Sequence, residues 1–167
     1  MFSRMMTYMV INPYWNVPAS IVRPEILPKV KEDPDYLARH HMEMNGNAIR
    51  QLPGPWNSLG RFKFMFPNQH NIYMHDTPAR AAFARADRTG SHGCIRLEKP
   101  AELAALLLGP QGWAPERIAA AVATGQQHGW PRHVQRRRLR NRIFGEPIAS
   151  GRHQVHAADR ALPRLLA

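Results

Sequence analysis

Cysteine pairs are absent from this sequence, in which Cys94 is the single cysteine among 167 residues. One thiol cannot form an internal disulfide, and it falls short of the paired cysteines that structural zinc sites use. Most single cysteines are small buried hydrophobic residues. Cys94 therefore serves either packing or chemistry, and the residues around it decide which.

Long hydrophobic runs are absent as well. The apolar stretch at residues 5–11 ends at Asn12-Pro13. This is shorter than a membrane span, and too short for the hydrophobic region of a signal peptide. We therefore expect no transmembrane segment and no signal peptide in this chain.

Acidic residues are scarce, with 12 Asp and Glu against 23 Lys and Arg and a net charge of +11. Residues 110–167 hold ten of the basic residues and three of the acidic ones, and the Arg-rich run at residues 136–142 dominates them. No groove-entering motif or stacking aromatic pattern accompanies this charge. We expect no nucleic acid to bind the folded domain, whereas a basic tail at residues 126–167 could contact polyanions.

Length and patterning predict one α+β domain, mainly β with peripheral helices. The β-branched and alternating segments predict strands at residues 7–11, 61–66 and 71–75, the last two forming a hairpin with its turn near residues 67–70. Proline at the start and glycine after the end predict helices at residues 100–108 and 115–124. Two shorter helices, at residues 24–30 and 34–39, are candidates for a lid.

Cys94 lies in the run Ser91-His92-Gly93-Cys94, where two histidines are placed to activate it. A thiol becomes a useful nucleophile when a neighbouring base favours the thiolate. His92 precedes Cys94 by two residues, so in an extended segment both side chains point to one side. His75 ends the predicted strand 71–75, and a paired strand could bring it to the thiol.

Neighbouring residues complete a possible acyl-transfer site. Gly93 permits a tight loop whose amides could form an oxyanion hole, and Ser91 could add a hydroxyl hydrogen bond. Arg96 returns to the side of Cys94, where its charge could face the thiolate or a substrate carboxylate. A catalytic zinc held by His75, His92 and Cys94 is the weaker alternative, since no second cysteine or carboxylate is close in sequence. Each residue taken singly also has an ordinary structural interpretation.

The spacing of His75, fifteen residues, and then the segment SHGCIR at residues 91–96 resembles the signature of the L,D-transpeptidase catalytic domain, also called the YkuD domain. Further segments are similar to the larger murein L,D-transpeptidases of Gram-negative bacteria, the YcbB-type branch. They lie at residues 12–18, 52–55, 59–68 and 74–78. The similarity runs from about residue 2 to residue 125.

The resemblance implies a β-rich fold with a helical lid insertion and an enzyme that needs no cofactor or metal. Peptidoglycan stem peptides are the implied partners, and cell-wall synthesis and cell shape are the implied processes. Cys94 would form an acyl-enzyme and pass the acyl group to a second stem, leaving a 3→3 cross-link. His75 would move the proton, oriented by the backbone carbonyl of Asp76, while His92, Gly93 and the Cys94 amide would shape the oxyanion site. Carbapenems should acylate Cys94.

The two ends of the chain depart from the resemblance. We expect residues 1–125 to form the catalytic domain, incomplete at both ends, and residues 126–167 to be a basic tail that matches the family poorly. The family implies the periplasm as the location. Three alternatives stay open: an L,D-carboxypeptidase, a catalytically impaired fragment that only binds peptidoglycan peptides, and a polyanion-binding protein that acts through its tail.

Overall fold

A computed structural model describes residues 6–86 and 93–130 of the chain. It contains two antiparallel-rich sheets and several short helices. The predicted α+β fold class is confirmed. Ser91, His92 and most of the predicted tail lie outside the described residues. None of the described helices is long and apolar enough to span a bilayer.

The main sheet has five strands in the order β7-β6-β5-β1-β8. Strand β1 pairs antiparallel with β5 and β8, β5 pairs antiparallel with β6, and β6 pairs parallel with β7. The strands are β1 Tyr8–Ile11, β5 Phe62–Met65, β6 Met74–His75, β7 Ile95–Arg96 and β8 His128–Trp130. Strand β8 follows the predicted boundary at residue 125, so the sheet continues into the first residues assigned to the tail.

The smaller sheet has the order β2-β4-β3 and was not predicted. Its strands are β2 Trp15–Asn16, β3 Met42–Asn45 and β4 Ala48–Gln51. The helical residues 19–39 comprise α1 Ala19–Ile21, a π-helical segment Val22–Ile26, α2 Leu27–Glu32 and α3 Tyr36–Arg39. Val17, Ile26 and Ile49 form the small core of this part.

The main core lies on one face of the five-stranded sheet, under helices α4 Pro100–Leu108 and α5 Pro115–Ala123. Alternation along β5 buries Phe62 and Phe64 and leaves Lys63 on the other face. Burial of one such aromatic side chain stabilises the fold by about 1.5–3 kcal/mol. The core consists of Met6, Met9, Ile11, Phe62, Phe64, Phe66, Met74, Ala104, Leu107, Leu108 and Ile118.

Two boundaries differ from the prediction. Strand β6 is shorter than residues 71–75, because the Asn68 side chain donates to the Ile72 carbonyl at 2.6 Å and accepts from the Ile72 amide at 3.0 Å. These bonds occupy the Ile72 backbone within the turn. Gly109 has a right-handed φ of −51° and leads into a 3₁₀ turn, Gly109–Gln111, so the left-handed end of this helical stretch is Gly112, with φ +77°.

Candidate active site

Three strands of the main sheet each contribute one cationic or titratable side chain to a single row. His75 in β6 is the antiparallel partner of Lys63 in β5 and the parallel partner of Arg96 in β7. Neighbouring strands lie about 4.8 Å apart, and directly paired residues share a face. Lys63, His75 and Arg96 therefore lie side by side on the face opposite Phe64 and Met74.

Cys94 immediately precedes β7 and lies beside Tyr73. The Ile95 amide donates to the Tyr73 carbonyl at 3.0 Å, and the Leu97 amide donates to the His75 carbonyl at 2.8 Å. Extending this parallel register by one residue pairs Cys94 with Tyr73, on the same face as His75. The strand spacing and rise place the Cα atoms of Cys94 and His75 about 8 Å apart. Cys94 is partly exposed, as a nucleophile that meets a substrate must be.

His75 is 6% exposed, and its Nδ1 contacts the backbone carbonyl of Asp76. A carbonyl oxygen only accepts, so Nδ1 carries the hydrogen and Nε2 keeps its lone pair. Burial lowers the pKa of His75 from 6.5 to about 4, and the charges of Arg96 and Lys63 act in the same direction. The contact with Asp76 opposes this shift. His75 is therefore neutral near pH 7, with its basic nitrogen available.

The carboxylate of Asp76 holds the turn that presents this carbonyl. Its Oδ2 accepts from the Arg61 amide at 2.8 Å, and its Oδ1 accepts from the Thr77 amide at 2.7 Å and from Arg80 Nη2 at 2.6 Å. Arg80 Nη1 also donates to the Glu98 carbonyl. Arg80 thus links the segment after β6, the strand that holds His75, to the segment after β7, the strand that Cys94 precedes.

Gly60 makes room for this carboxylate. Its φ is +61°, and a Cβ on this residue would lie 2.4 Å from the Asp76 Cγ. A side chain here would be strained by the backbone and would collide with Asp76. The glycine is therefore part of the support of His75, a role that its sequence context did not reveal.

Tyr73 and Lys63 belong to the site but were missed in the sequence. The Tyr73 hydroxyl is hydrogen-bonded to the Cys94 side chain, and burial, followed by the Cys94 charge, raises the Tyr73 pKa. The hydroxyl therefore stays protonated and donates. Lys63 Nζ lies 4.1 Å from the centroid of the Tyr73 ring. The sequence did hold a signal for both residues in their positions along the strands. Tyr73 precedes His75 by two residues and so shares its face, and Lys63 is a polar residue in an alternating strand.

The remaining predicted residues are placed only in part. Gly93 has φ +113° with nothing within 4 Å of a hypothetical Cβ, a backbone conformation that glycine adopts readily. The Nε of Arg96 is buried and has no hydrogen-bond partner among the described residues. Ser91 and His92 fall in the undescribed segment, so their roles stay predictions. In residues 6–86 and 93–130 no three His, Cys, Asp or Glu side chains are grouped as metal ligands.

Comparison with known proteins places this chain in a family. Residues 1–125 match the YkuD family model, which describes the L,D-transpeptidase catalytic domain. A Haemophilus influenzae protein whose name assigns it provisionally to the L,D-transpeptidases is 34% identical over 144 residues. The aligned region covers 74% of this chain and 29% of that protein. The chain thus spans less than a third of the length of this curated relative.

Proposed function

This chain belongs to the YkuD family of L,D-transpeptidase catalytic domains, and we propose that it transfers the acyl group of a peptidoglycan stem peptide through Cys94. The observation that supports this most is the register of β6 and β7, which puts Cys94 beside Tyr73 and one diagonal step from His75. A thiol nucleophile and a neutral imidazole base on one face are the groups that acyl transfer to sulfur requires.

In the first step, Cys94 Sγ forms a bond to the carbonyl carbon of the third residue of the donor stem, and the thiol proton passes to His75 Nε2. The bond from that carbonyl to the terminal D-alanine nitrogen then breaks, and the leaving amine takes the proton from His75. A pKa of about 4 leaves about one His75 in a thousand protonated at pH 7. The Nε2 lone pair is therefore free to take up a proton, and the low pKa favours passing that proton on to the leaving amine.

In the second step, a side-chain amine of a neighbouring stem attacks the thioester and loses a proton to His75. The carbon–sulfur bond breaks, the departing Cys94 thiolate takes that proton back from His75, and a 3→3 cross-link remains. Water in place of the amine gives the L,D-carboxypeptidase reaction. Both reactions use the same acyl-enzyme and differ only in the acceptor.

Arg96 and the loop before Cys94 have the positioning roles in this proposal. The buried Nε of Arg96 has no partner among the described side chains, and an unpaired buried guanidinium nitrogen favours an anionic ligand. A carboxylate of the stem peptide supplies that anion. The amides of Gly93 and Cys94, with His92, stabilise the oxyanion, and the family implies that the reaction takes place in the periplasm.

Mass spectrometry of the full chain with a carbapenem tests the acyl-enzyme. We expect one adduct per chain and none in Cys94→Ala. His75→Gln should slow acylation by about 10²–10⁴-fold, the usual contribution of a general base. The matched control is His70→Gln, an exposed histidine in the turn before β6, which should react at the native rate.

A folded native protein that forms no adduct would support the impaired fragment and contradict the proposal. An adduct that persists in Cys94→Ala would contradict the assignment of the nucleophile. Incubation with muropeptides then separates the two reactions, because cross-linked dimers report transpeptidation and released tripeptides report hydrolysis.

A further inference from the structure

A lysine ammonium lies over the ring of Tyr73, the residue whose hydroxyl is hydrogen-bonded to the Cys94 side chain. We propose that Lys63 is a positioning residue for the nucleophile: its charge, held over the Tyr73 ring, favours the thiolate of Cys94. The inference rests on the proposed role of Cys94, and it adds a residue to which no role has been assigned.

Two constraints fix the position of Lys63. Its backbone is paired with His75 in the antiparallel register of β5 and β6, so its side chain shares the face of the site. Its Nζ lies 4.1 Å from the centroid of the Tyr73 ring, a distance at which the ring face attracts a cation. The same Tyr73 donates its hydroxyl hydrogen bond to Cys94. One ring therefore connects the ammonium and the thiol.

The electrostatic interaction between Lys63 and Cys94 supports this placement. Burial lowers the Lys63 pKa below 10.5, and the charge of Cys94 raises it again. The attraction is mutual, so an ammonium stabilised by a thiolate stabilises the thiolate equally. The other titratable groups on this face of the described strands are Tyr8, Tyr73, His75 and Arg96.

The need for such a cation follows from the state of His75. In many cysteine enzymes an imidazolium stabilises the thiolate, but His75 is buried beside two cations and is neutral near pH 7. Arg96 is directly paired with His75, whereas Cys94 is paired with Tyr73 by the extended register. Lys63 is the cation that shares the Tyr73 ring with Cys94, and it leaves His75 free to act as a base.

Alkylation of Cys94 by iodoacetamide tests the inference on the full chain. Lys63→Met removes the charge and keeps most of the length of the unbranched side chain. We expect its alkylation rate at pH 7 to fall about tenfold, the lower end of the effect that one nearby opposite charge has on an ionisable group. At pH 10 the rates should agree within about twofold. Lys63→Arg should restore the rate at pH 7.

The control variant is Lys99→Met, which removes an exposed lysine paired with Glu102 at 3.4 Å and should leave the profile unchanged. An equal loss of rate at every pH in Lys63→Met, an unchanged rate at pH 7, or no rescue by Lys63→Arg would overturn the inference. Alkylation does not depend on peptide transfer, so a failure of the proposed function leaves this result readable. Conversely, a failed pH effect leaves the transpeptidase proposal intact.

A reciprocal measurement on the native chain covers the case in which the variants do not fold. The chain has four lysines, Lys29, Lys31, Lys63 and Lys99, which can be labelled by ¹³C reductive methylation and followed by NMR. After Cys94 is alkylated to a neutral thioether, the Lys63 resonance should titrate at lower pH, with the other three unmoved. A Lys63 titration that is the same before and after alkylation would overturn the inference.

Discussion

Acidification should destabilise this protein through His75 before most carboxylates titrate. The pKa of His75 is about 4 in the folded chain and 6.5 in an unfolded one. Above pH 6.5 both states are neutral at this residue. As the pH falls below 6.5, the unfolded chain binds a proton that the folded chain refuses, so the free energy of unfolding decreases until folded His75 is protonated near pH 4. With 1.36 kcal/mol per pKa unit, the full loss is about 3 kcal/mol, of which about 2 kcal/mol is reached by pH 5.

Urea unfolding at pH 7.5, 6.5, 5.5 and 4.5 measures this loss in the native chain and in His75→Gln. Carboxylates contribute equally to both proteins, so the difference between the two pH profiles isolates His75. The native profile should fall more steeply by about 2–3 kcal/mol between pH 7.5 and 4.5. Parallel profiles would refute the neutral buried state of His75 and, with it, the argument that His75 rests as a base.

Two further predictions concern the support of His75. Gly60→Ala puts a Cβ 2.4 Å from Asp76 on a residue with φ +61°, and should lower the free energy of unfolding by about 2–4 kcal/mol. The control Gly46→Ala, with φ +60° and no close neighbour, should lower it by about 1 kcal/mol. Equal losses in urea unfolding would show that Asp76 does not occupy this space. Arg80→Met should slow carbapenem acylation about tenfold or more by loosening the Asp76 turn. The control Arg39→Met, which removes an exposed ion pair with a different aspartate, should leave the rate unchanged. Equal rates in the two variants would contradict the positioning role of Arg80.

The larger elements of the fold follow from local sequence. The β-branched residues of β1 and the alternation of β5 predicted both strands, and proline and glycine bracketed α5 correctly. The β3–β4 hairpin was missed although Asn45 and Ala48 are paired across the two-residue loop Gly46-Asn47. A Gly-Asn dipeptide was therefore present at the loop positions as a hairpin signal. It was obscured because residues 42–45 alternate but hold no β-branched or aromatic side chain, and residues 48–51 do not alternate.

The site was predictable only where its residues lie close in sequence or match a family pattern. Cys94 and Gly93 stand in one motif, and His75 follows from the spacing of that motif. Tyr73 and Lys63 depend on the pairing of β5, β6 and β7. Nothing local to Lys63 distinguishes it from any lysine on the outer face of a strand. Its ring contact is with Tyr73 and its charge interaction is with Cys94, and both residues lie on other strands or loops.

The register of β6 couples the stability of the core to the chemistry of the site. Met74 is 5% exposed and Phe64 is fully buried on the core face, and they are direct partners across β5 and β6. A slip of one residue would move Met74 out of the core and turn His75 to the opposite face. The apolar burial that opposes such a slip therefore also keeps His75 beside Lys63. Residues of the core that touch no substrate thus determine which side chains meet at Cys94.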